Sequence, residues 1–264
     1  MNGAQALIRT LTELGVDVAF MNPGTSEMHF VAALDDVGEM RGVLALFEGV
    51  ATGAADGYGR MADRPAATLL HLGPGLGNGL ANLHNARRAH TPVVNIVGDH
   101  ATYHKAYDPQ LESDIETVAR NVSRFVRRTE RADDVVGDAV ATVAASTGPP
   151  GQVATLILPA DASWSEVSEA EARSADEVRA AGQRITAASR PRVDADRVEA
   201  VAAVLRSGEP AALFVGGRVV SGAALRDVAA VGATTGARLL CETFPARLER
   251  GAGVPPVERL GYLA

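Results

Sequence analysis

The chain has 264 residues, of which 47% are hydrophobic and 22% are charged, as in ordinary globular proteins. Its length exceeds that of one typical domain and suggests two. The net charge of −7 argues against a nucleic-acid-binding protein, and the single cysteine, Cys241, excludes an internal disulfide and a thiolate-cluster metal site.

No part of the sequence has the composition of a membrane span or an export signal. No apolar run approaches 18 residues, and the amino terminus lacks a basic segment followed by an apolar one. We therefore expect a cytoplasmic protein that binds neither membranes nor nucleic acid.

The first 160 residues alternate helical and strand patterns, beginning with a predicted helix at 3–14. The predicted strands are 16–21, 41–47, 66–72, 93–97 and 152–158. The predicted helices between them are 26–35, 49–62, 78–89, 111–120 and 132–146. Short apolar strands that alternate with helices are typical of a parallel sheet covered on both faces. We therefore predict a doubly wound α/β domain over residues 1–160.

The rest of the chain divides into a predicted linker and a second α/β unit. Residues 161–193 are rich in Ala, Ser, Glu and Arg and lack a strand pattern, which favours a surface connector. The elements predicted within 194–264 are helix 195–206, strand 211–215, helix 222–235 and strand 237–241. They amount to about half of a doubly wound domain. We therefore expect that the second domain is cut short here or is completed by further chain.

Glu48 stands between the apolar run 43–47 and a helical stretch of small residues, 49–62. Such a run predicts a buried strand that leads into a closely packed helix. Carboxylates are seldom buried at such a position without a partner. Glu48 could share a proton with a ligand nitrogen, or it could simply be an acid in the first turn of a helix, favoured by the helix dipole.

The loop Asn22-Pro23-Gly24-Thr25-Ser26-Glu27 follows the first predicted strand. Ligands bind outside the carboxyl ends of strands in open α/β sheets, so its hydroxyl and amide groups could contact a small polar substrate. The alternative is a Pro-Gly turn in which Ser26 caps the next helix and Glu27 lies in the first turn of that helix.

His71 ends the third predicted strand and precedes the glycine-rich stretch Gly73-Pro74-Gly75-Leu76-Gly77-Asn78. A strand, a glycine-rich turn and a helix form a common phosphate- or ring-binding arrangement. The glycine spacing departs from the dinucleotide fingerprint, and Pro74 lacks the N–H that a phosphate would use, so NAD binding is disfavoured. His71 is a candidate acid or base.

Gly98-Asp99-His100 ends the fourth predicted strand. Three interpretations stay open: a substrate-facing loop, a metal site formed with His104, or a plain surface loop. Zinc sites normally need a third ligand at a defined spacing, and none stands out in the sequence.

Together these motifs resemble the thiamine-diphosphate-dependent decarboxylases and carboligases, which include benzoylformate decarboxylase and acetolactate synthase. The stretches that carry the resemblance are 22–27, 47–58 and 73–78. The resemblance implies that residues 1–160 are a pyrimidine-binding domain and that residues from about 190 begin the family's central domain. It also implies that the pyrophosphate-binding domain, which holds Mg²⁺, is absent. We therefore expect the 264 residues alone to be inactive.

The resemblance also implies roles for individual residues. It makes Glu48 the acid that exchanges a proton with the aminopyrimidine ring of thiamine diphosphate. His71 aligns with a histidine thought to act on the substrate in benzoylformate decarboxylase, and acetolactate synthases generally lack it, which favours decarboxylation. The other implied cofactor-binding residues are Pro23, Gly24, Gly73, Gly75 and Asn78. The implied substrate-side residues are Asn22, Thr25, Ser26 and His100.

Two departures from the family pattern leave the substrate open. Gly98-Asp99-His100 stands where the family has Gly-Gln, and Thr25 stands where benzoylformate decarboxylase has serine. The expected substrate is a small 2-oxo acid, and the expected assembly is a homodimer or homotetramer, because the family's cofactor site lies between subunits. The alternatives are a non-catalytic or two-chain subunit of the same family and, less in keeping with the glycine spacing, an NAD-binding oxidoreductase.

Overall fold

The computed structural model of the chain describes residues 1–170, 175–188 and 192–262. Two compact units divide the chain, one over residues 1–190 and the other over residues 191–264. Among the described residues, no helix combines the length and the apolar character that crossing a membrane requires. Each unit is described by itself.

The first unit is built on a six-stranded sheet in the order β2-β1-β3-β4-β6-β5. Its strands are β1 Val18–Asn22, β2 Arg41–Leu44, β3 Ala66–Leu70, β4 Val93–Asp99, β5 Phe125–Arg128 and β6 Val153–Pro159. Every pairing between neighbouring strands is parallel. The predicted doubly wound α/β fold is therefore confirmed.

Helices cover both faces of this sheet. They are α1 Gly3–Glu13, α2 Met28–Val37, α3 Glu48–Ala62, α4 Leu72–Ala89, α5 Ile115–Arg120, α6 Val135–Thr147, α7 Ala160–Trp164 and α8 Ala175–Ala188. Successive residues of a strand point to opposite faces. In β3, Leu69 therefore joins a core with α1, α2 and α6, while Leu70 joins a core with α3, α4 and α5.

The two edge strands depart from the sequence prediction. Residues 43–47 were expected in a buried strand, but β2 pairs only with β1, and Leu44 is 66% exposed. That prediction is wrong because an apolar run does not distinguish a central strand from an edge strand. β5 was not predicted, because it is four residues long and contains Arg127 and Arg128.

The predicted linker, residues 161–193, also differs from the structure. Over 175–188 the chain forms α8, whose Val178 packs with Ala6 of α1 and Val136 of α6. Arg179 of α8 also forms an ion pair with Glu13. The composition is that of an exposed helix, but one face carries enough small and apolar side chains to dock on the first unit.

The second unit is a smaller α/β structure. Its strands β7 Ala212–Val215, β8 Arg238–Cys241 and β9 Glu258–Arg259 form a parallel sheet in that order, and its helices are α9 Ala195–Leu205 and α10 Gly222–Thr235. Val220, Leu225, Cys241 and Val257 form its buried core. The predicted order of helix, strand, helix and strand is found, and β9 is an addition.

Candidate active site

The carboxyl ends of β1 and β3 bring the predicted site residues together. The two strands are neighbours, with Asn22 paired opposite Leu70, so the segments that follow them lie side by side. His71 follows β3 directly, and the loop that ends at Glu27 follows β1. Glu48 is the first residue of α3, the helix that follows β2. This is the edge at which open α/β sheets bind ligands.

Glu48 is both a first-turn helix residue and a buried acid. Phe47 is the N-cap of α3, and Glu48 is only 8% exposed. Asn78 Nδ2 of α4 donates a hydrogen bond to Glu48 Oε2 at 3.0 Å. The other oxygen, Oε1, takes no hydrogen bond from the described residues. The structure therefore confirms the first-turn position, and the helix N-terminus and Asn78 together compensate the burial of this acid.

The glycine-rich stretch is helical, which corrects the prediction of a turn followed by a helix at 78–89. Helix α4 begins at Leu72, and Leu72 itself has a φ of +53°, a conformation that is rare for residues other than glycine. A Cβ at Gly75 would lie 3.2 Å from Glu48 Oε1, and one at Gly79 would lie 2.9 Å from Thr52 Cγ2. These glycines let α4 approach α3 and leave room for the Glu48 carboxyl group.

His71 forms a close pair with Glu27. His71 Nδ1 lies 2.7 Å from Glu27 Oε2, and the same oxygen accepts a hydrogen bond from the backbone N–H of Gly24 at 2.7 Å. The hydrogen bond that His71 donates to the Glu27 carboxylate raises the pKa of His71 above its ordinary value. Burial opposes this rise, and the charges of Glu27 and Glu48 add to it. With Nδ1 engaged, Nε2 is the ring nitrogen left for a ligand.

The other predicted site residues have mixed outcomes. Asn22 Nδ2 donates to the backbone oxygen of Ala45 at 2.8 Å, so its amide ties β1 to the chain after β2. Thr25 is exposed and Ser26 half-buried, both in a short 3₁₀ helix after Pro23. Ser26 does not cap α2, because Glu27 is the N-cap residue. A Cβ at Gly73 would collide with Ser113, so that backbone faces a neighbouring loop.

Asp99 at the end of β4 does not face a substrate. Its side chain is fully buried, and its carboxylate pairs with Lys105 and Arg128. Burial lowers the pKa of Arg128, but its hydrogen bonds to Glu116 and Asp99 outweigh this and raise the pKa. Among the described residues no group of three or more His, Cys, Asp or Glu side chains could hold a metal ion. The Asp99 carboxylate instead secures the loop that follows β4.

His100 follows Asp99 and stays a candidate only by position. Its ring lies edge-on to that of His104, with 5.5 Å between the centroids. Its Nε2 is buried and has no hydrogen-bond partner in the described parts of the chain. No contact joins His100 to Glu48 or His71 in those parts either.

Comparison with known proteins relates the first part of the chain to a described domain. Residues 1–118 match the family described as "Thiamine pyrophosphate enzyme, N-terminal TPP binding domain". This stretch, 118 of the 264 residues, is similar to the thiamine pyrophosphate domain of that family. The whole chain is 64% identical to a Mycobacterium tuberculosis protein provisionally named acetolactate synthase large subunit IlvX, and it spans 48% of that protein's length. Over 84 residues, 32% of this chain and 16% of the relative, it is 38% identical to benzoylformate decarboxylase of Pseudomonas aeruginosa.

A solved structure supports the fold of the thiamine pyrophosphate domain and its continuation. The thiamine diphosphate-dependent 4-hydroxybenzoylformate decarboxylase of Rhodococcus jostii RHA1 superposes with a TM-score of 0.80 at 21% sequence identity. The superposition covers 93% of this chain and 45% of that one. At this identity the likeness is one of fold.

The residues of the thiamine pyrophosphate domain fit the ring of that cofactor. Glu48 Oε1 takes no hydrogen bond from the described residues, and Gly75 has no side chain to crowd it, since a Cβ there would lie 3.2 Å from that oxygen. A planar ring with a basic nitrogen suits such a site, because the nitrogen can share a proton with the acid.

Sequence reasoning missed Glu27, which was assigned only to a helical first turn. Its side chain is 1% exposed, and it contacts His71 from 44 residues away in the sequence. The signal that could have revealed it is topological. If β1 and β3 are neighbours, acids and histidines that follow them meet at one edge of the sheet.

Proposed function

We propose that the chain forms the aminopyrimidine side of the cofactor site in a thiamine-diphosphate-dependent 2-oxo-acid decarboxylase or carboligase. The observation that carries this proposal is the buried carboxyl group of Glu48, held by Asn78 through one oxygen only. When bound, thiamine diphosphate supplies a carbon nucleophile and an electron sink for the carbonyl carbon of a 2-oxo acid.

Glu48 would exchange a proton with a nitrogen of the aminopyrimidine ring. Its Oε2 is fixed by Asn78, so Oε1 is the oxygen presented to the ring. The N-terminus of α3 stabilises the carboxylate form, and a hydrogen bond to the ring nitrogen offsets the cost of burying the group. General acid/base assistance of this type contributes roughly 10²–10⁴-fold to a rate.

His71 would serve the substrate. Since Nδ1 is committed to Glu27, Nε2 is the atom that can donate a proton to a substrate oxygen or accept one from it. The presence of this histidine favours simple decarboxylation. The 64% identity to a protein named as an acetolactate synthase large subunit favours the carboligase alternative. The identity of the 2-oxo acid is left to the experiment.

The proposal also includes an oligomeric state, a metal ion and a cellular location. Next to Glu48 lie exposed apolar side chains, namely Leu44, Leu46, Phe47 and Val50, which are between 50% and 92% exposed. An exposed apolar cluster of this kind is typical of protein interfaces and supports a homodimer or homotetramer. The family resemblance adds Mg²⁺, bound with the diphosphate, and the sequence pattern adds the expected cytoplasmic location.

The test is made on the natural full-length polypeptide with thiamine diphosphate and Mg²⁺. Benzoylformate and pyruvate are supplied in turn, and CO₂, aldehyde and acetolactate are measured. We expect turnover with at least one of them, and a loss of about 10²-fold or more in Glu48→Gln. Glu39→Gln, which removes the same charge from an exposed position, is the control and should keep the rate. Turnover by Glu48→Gln at the wild-type rate would remove Glu48 from the mechanism.

A further inference from the structure

The Glu27 carboxylate is the least expected feature of this site. Its side chain is 1% exposed, and a buried carboxylate is costly unless hydrogen bonds compensate it. Two groups reach its Oε2, the backbone N–H of Gly24 and His71 Nδ1, each at 2.7 Å. Its Oε1 is buried and has no partner among the described residues. Among the described residues, His71 is therefore the only side chain that compensates the burial of Glu27.

Two glycines leave room for the side chains of Glu27 and His71. A Cβ at Gly98, near the end of β4, would collide with the Glu27 carboxyl group. A Cβ at Gly24 would collide with the His71 ring. The strand ends of β1, β3 and β4 therefore confine both side chains, and the contact is not a chance meeting of flexible groups.

The hydrogen position follows from an ionised Glu27. Gly24 N–H can only donate, so Glu27 Oε2 is an acceptor there. An ionised carboxylate has no hydrogen to donate, so its Oε2 bonds to the ring when Nδ1 carries the hydrogen. In neutral His71 the single ring N–H hydrogen is then on Nδ1. In the imidazolium form Nε2 carries a hydrogen as well, and this one points away from Glu27.

Two acidic groups face the ring, Glu27 from the segment after β1 and Glu48 from α3. Glu48 Oε1 and His71 Cβ lie 3.2 and 3.5 Å from the position that a Cβ at Gly75 would take, so the two side chains are close together. Both charges favour the imidazolium form of His71, and the direct hydrogen bond of Glu27 is the stronger influence.

We propose that Glu27 is a positioning residue for His71: it holds the ring in the Nδ1–H tautomer and keeps a proton on Nε2 for delivery to the substrate. The assignment of a substrate rests on the proposed function. The geometry of the pair does not.

The decisive experiment observes the imidazole nitrogens of the ¹⁵N-labelled chain by NMR, without cofactor or substrate. The chain has six histidines, and His71→Gln identifies the His71 signals by their loss. We expect a wild-type His71 pKa above its ordinary value and the Nδ1–H tautomer at high pH. In Glu27→Gln the His71 pKa should fall and the tautomer preference should weaken or reverse, because a side-chain amide can donate to Nδ1.

A charge-matched variant separates the local contact from the overall charge. Glu39→Gln removes one negative charge at an exposed position and should leave the His71 pKa unchanged. A wild-type spectrum with the Nε2–H tautomer would overturn the proposal even if Glu27→Gln failed to fold. An unchanged His71 pKa in folded Glu27→Gln would also overturn it.

Kinetics of the natural full-length polypeptide give a second readout. If His71 donates a proton, kcat falls as the pH rises through the His71 pKa, and Glu27→Gln should move this fall to lower pH. A polypeptide without any turnover would refute the proposed function and leave the NMR result as the test of the pair.

Discussion

At the scale of single residues, the site depends on two buried acids with different surroundings. Glu48 has the N-terminus of a helix and the amide of Asn78, whereas Glu27 has a backbone N–H and an imidazole. The proposed roles of the two acids follow from these partners. In the proposed function Glu48 exchanges a proton with a ligand, and in the further proposal Glu27 tunes His71.

The pair of Glu27 and His71 should make stability depend on pH in a defined direction. The folded pKa of His71 is raised by its hydrogen bond to Glu27 above the unfolded value of about 6.5. The stabilisation is therefore fully present below the unfolded pKa and is lost as the pH rises through the folded pKa. The loss of stability in His71→Gln should be larger at about pH 5.5 than at about pH 9.

Urea unfolding at the two pH values measures this difference. His84→Gln, which changes an exposed histidine of α4, is the matched control, and its effect on stability should be similar at both pH values. A His71→Gln effect that grows with pH would contradict the assigned direction.

Neither hydrogen-bonded pair could be predicted from sequence spacing. Glu48 and Asn78 are separated by 30 residues and Glu27 and His71 by 44. The first pair forms because α3 packs on α4, and the second because β1 and β3 are adjacent. The sequence pattern did indicate Glu48 and His71, since each stands at the end of a predicted strand, whereas Asn78 was named only through the resemblance to the family. It did not indicate Glu27, whose position fits a helix start equally well.

At the scale of secondary structure elements, glycines determine how α3 meets its neighbours. A Cβ at Gly59 would collide with Thr91 and lie 3.1 Å from the backbone oxygen of Pro92. Thr91 cannot easily turn away, because its hydroxyl donates to Asp56 at 2.7 Å. Gly57, two residues earlier on the same helix, is exposed and has nothing within 4 Å of its Cβ position.

Two alanine substitutions in α3 should therefore have opposite effects. Gly59→Ala should destabilise the first unit by about 1–3 kcal/mol through overpacking. Gly57→Ala should stabilise it by about 0.5–1 kcal/mol, because alanine favours the helix. Urea unfolding followed by tryptophan fluorescence measures both. If the two substitutions change the free energy of unfolding equally, helix propensity and not close packing determines the effect of replacing these glycines.

The elements that sequence patterns predicted well are those with long, buried, regular faces. β3, β4 and β6 are fully buried strands, and each was placed to within a few residues. The misplaced elements are exposed or carry unusual composition, as in edge strands β2 and β5 and helix α8. The start of α4 was predicted too late because its first glycines were interpreted as a ligand-binding turn, whereas Gly75 and Gly79 lie in the helix and face α3.

At the scale of the whole molecule, the two compact units have separate cores. The first has a core on each side of its sheet, whereas the second has a small core around Leu225 and Cys241. The sequence predicted both units. It did not predict the point of division, because the composition of α8 resembles that of a connector while α8 packs on the first unit.

Separate cores predict separate unfolding, and the chain carries one natural probe in each unit. Trp164, the only tryptophan, lies in α7 of the first unit, and Cys241, the only cysteine, is fully buried in the second. Burial raises the pKa of the Cys241 thiol, so its reaction with a thiol reagent should report opening of the second unit. Trp164 fluorescence should report unfolding of the first.

A substitution that truncates a leucine in one core should shift the unfolding midpoint reported by only one of the two probes. Leu156→Ala in β6 and Leu225→Ala in α10 each remove a fully buried leucine, at a cost of about 2–5 kcal/mol. Leu156→Ala should lower the urea midpoint of Trp164 fluorescence and leave that of Cys241 reactivity in place, and Leu225→Ala should do the reverse. If both midpoints shift together in both variants, the two units unfold as one cooperative body, and a single free energy of unfolding describes the chain.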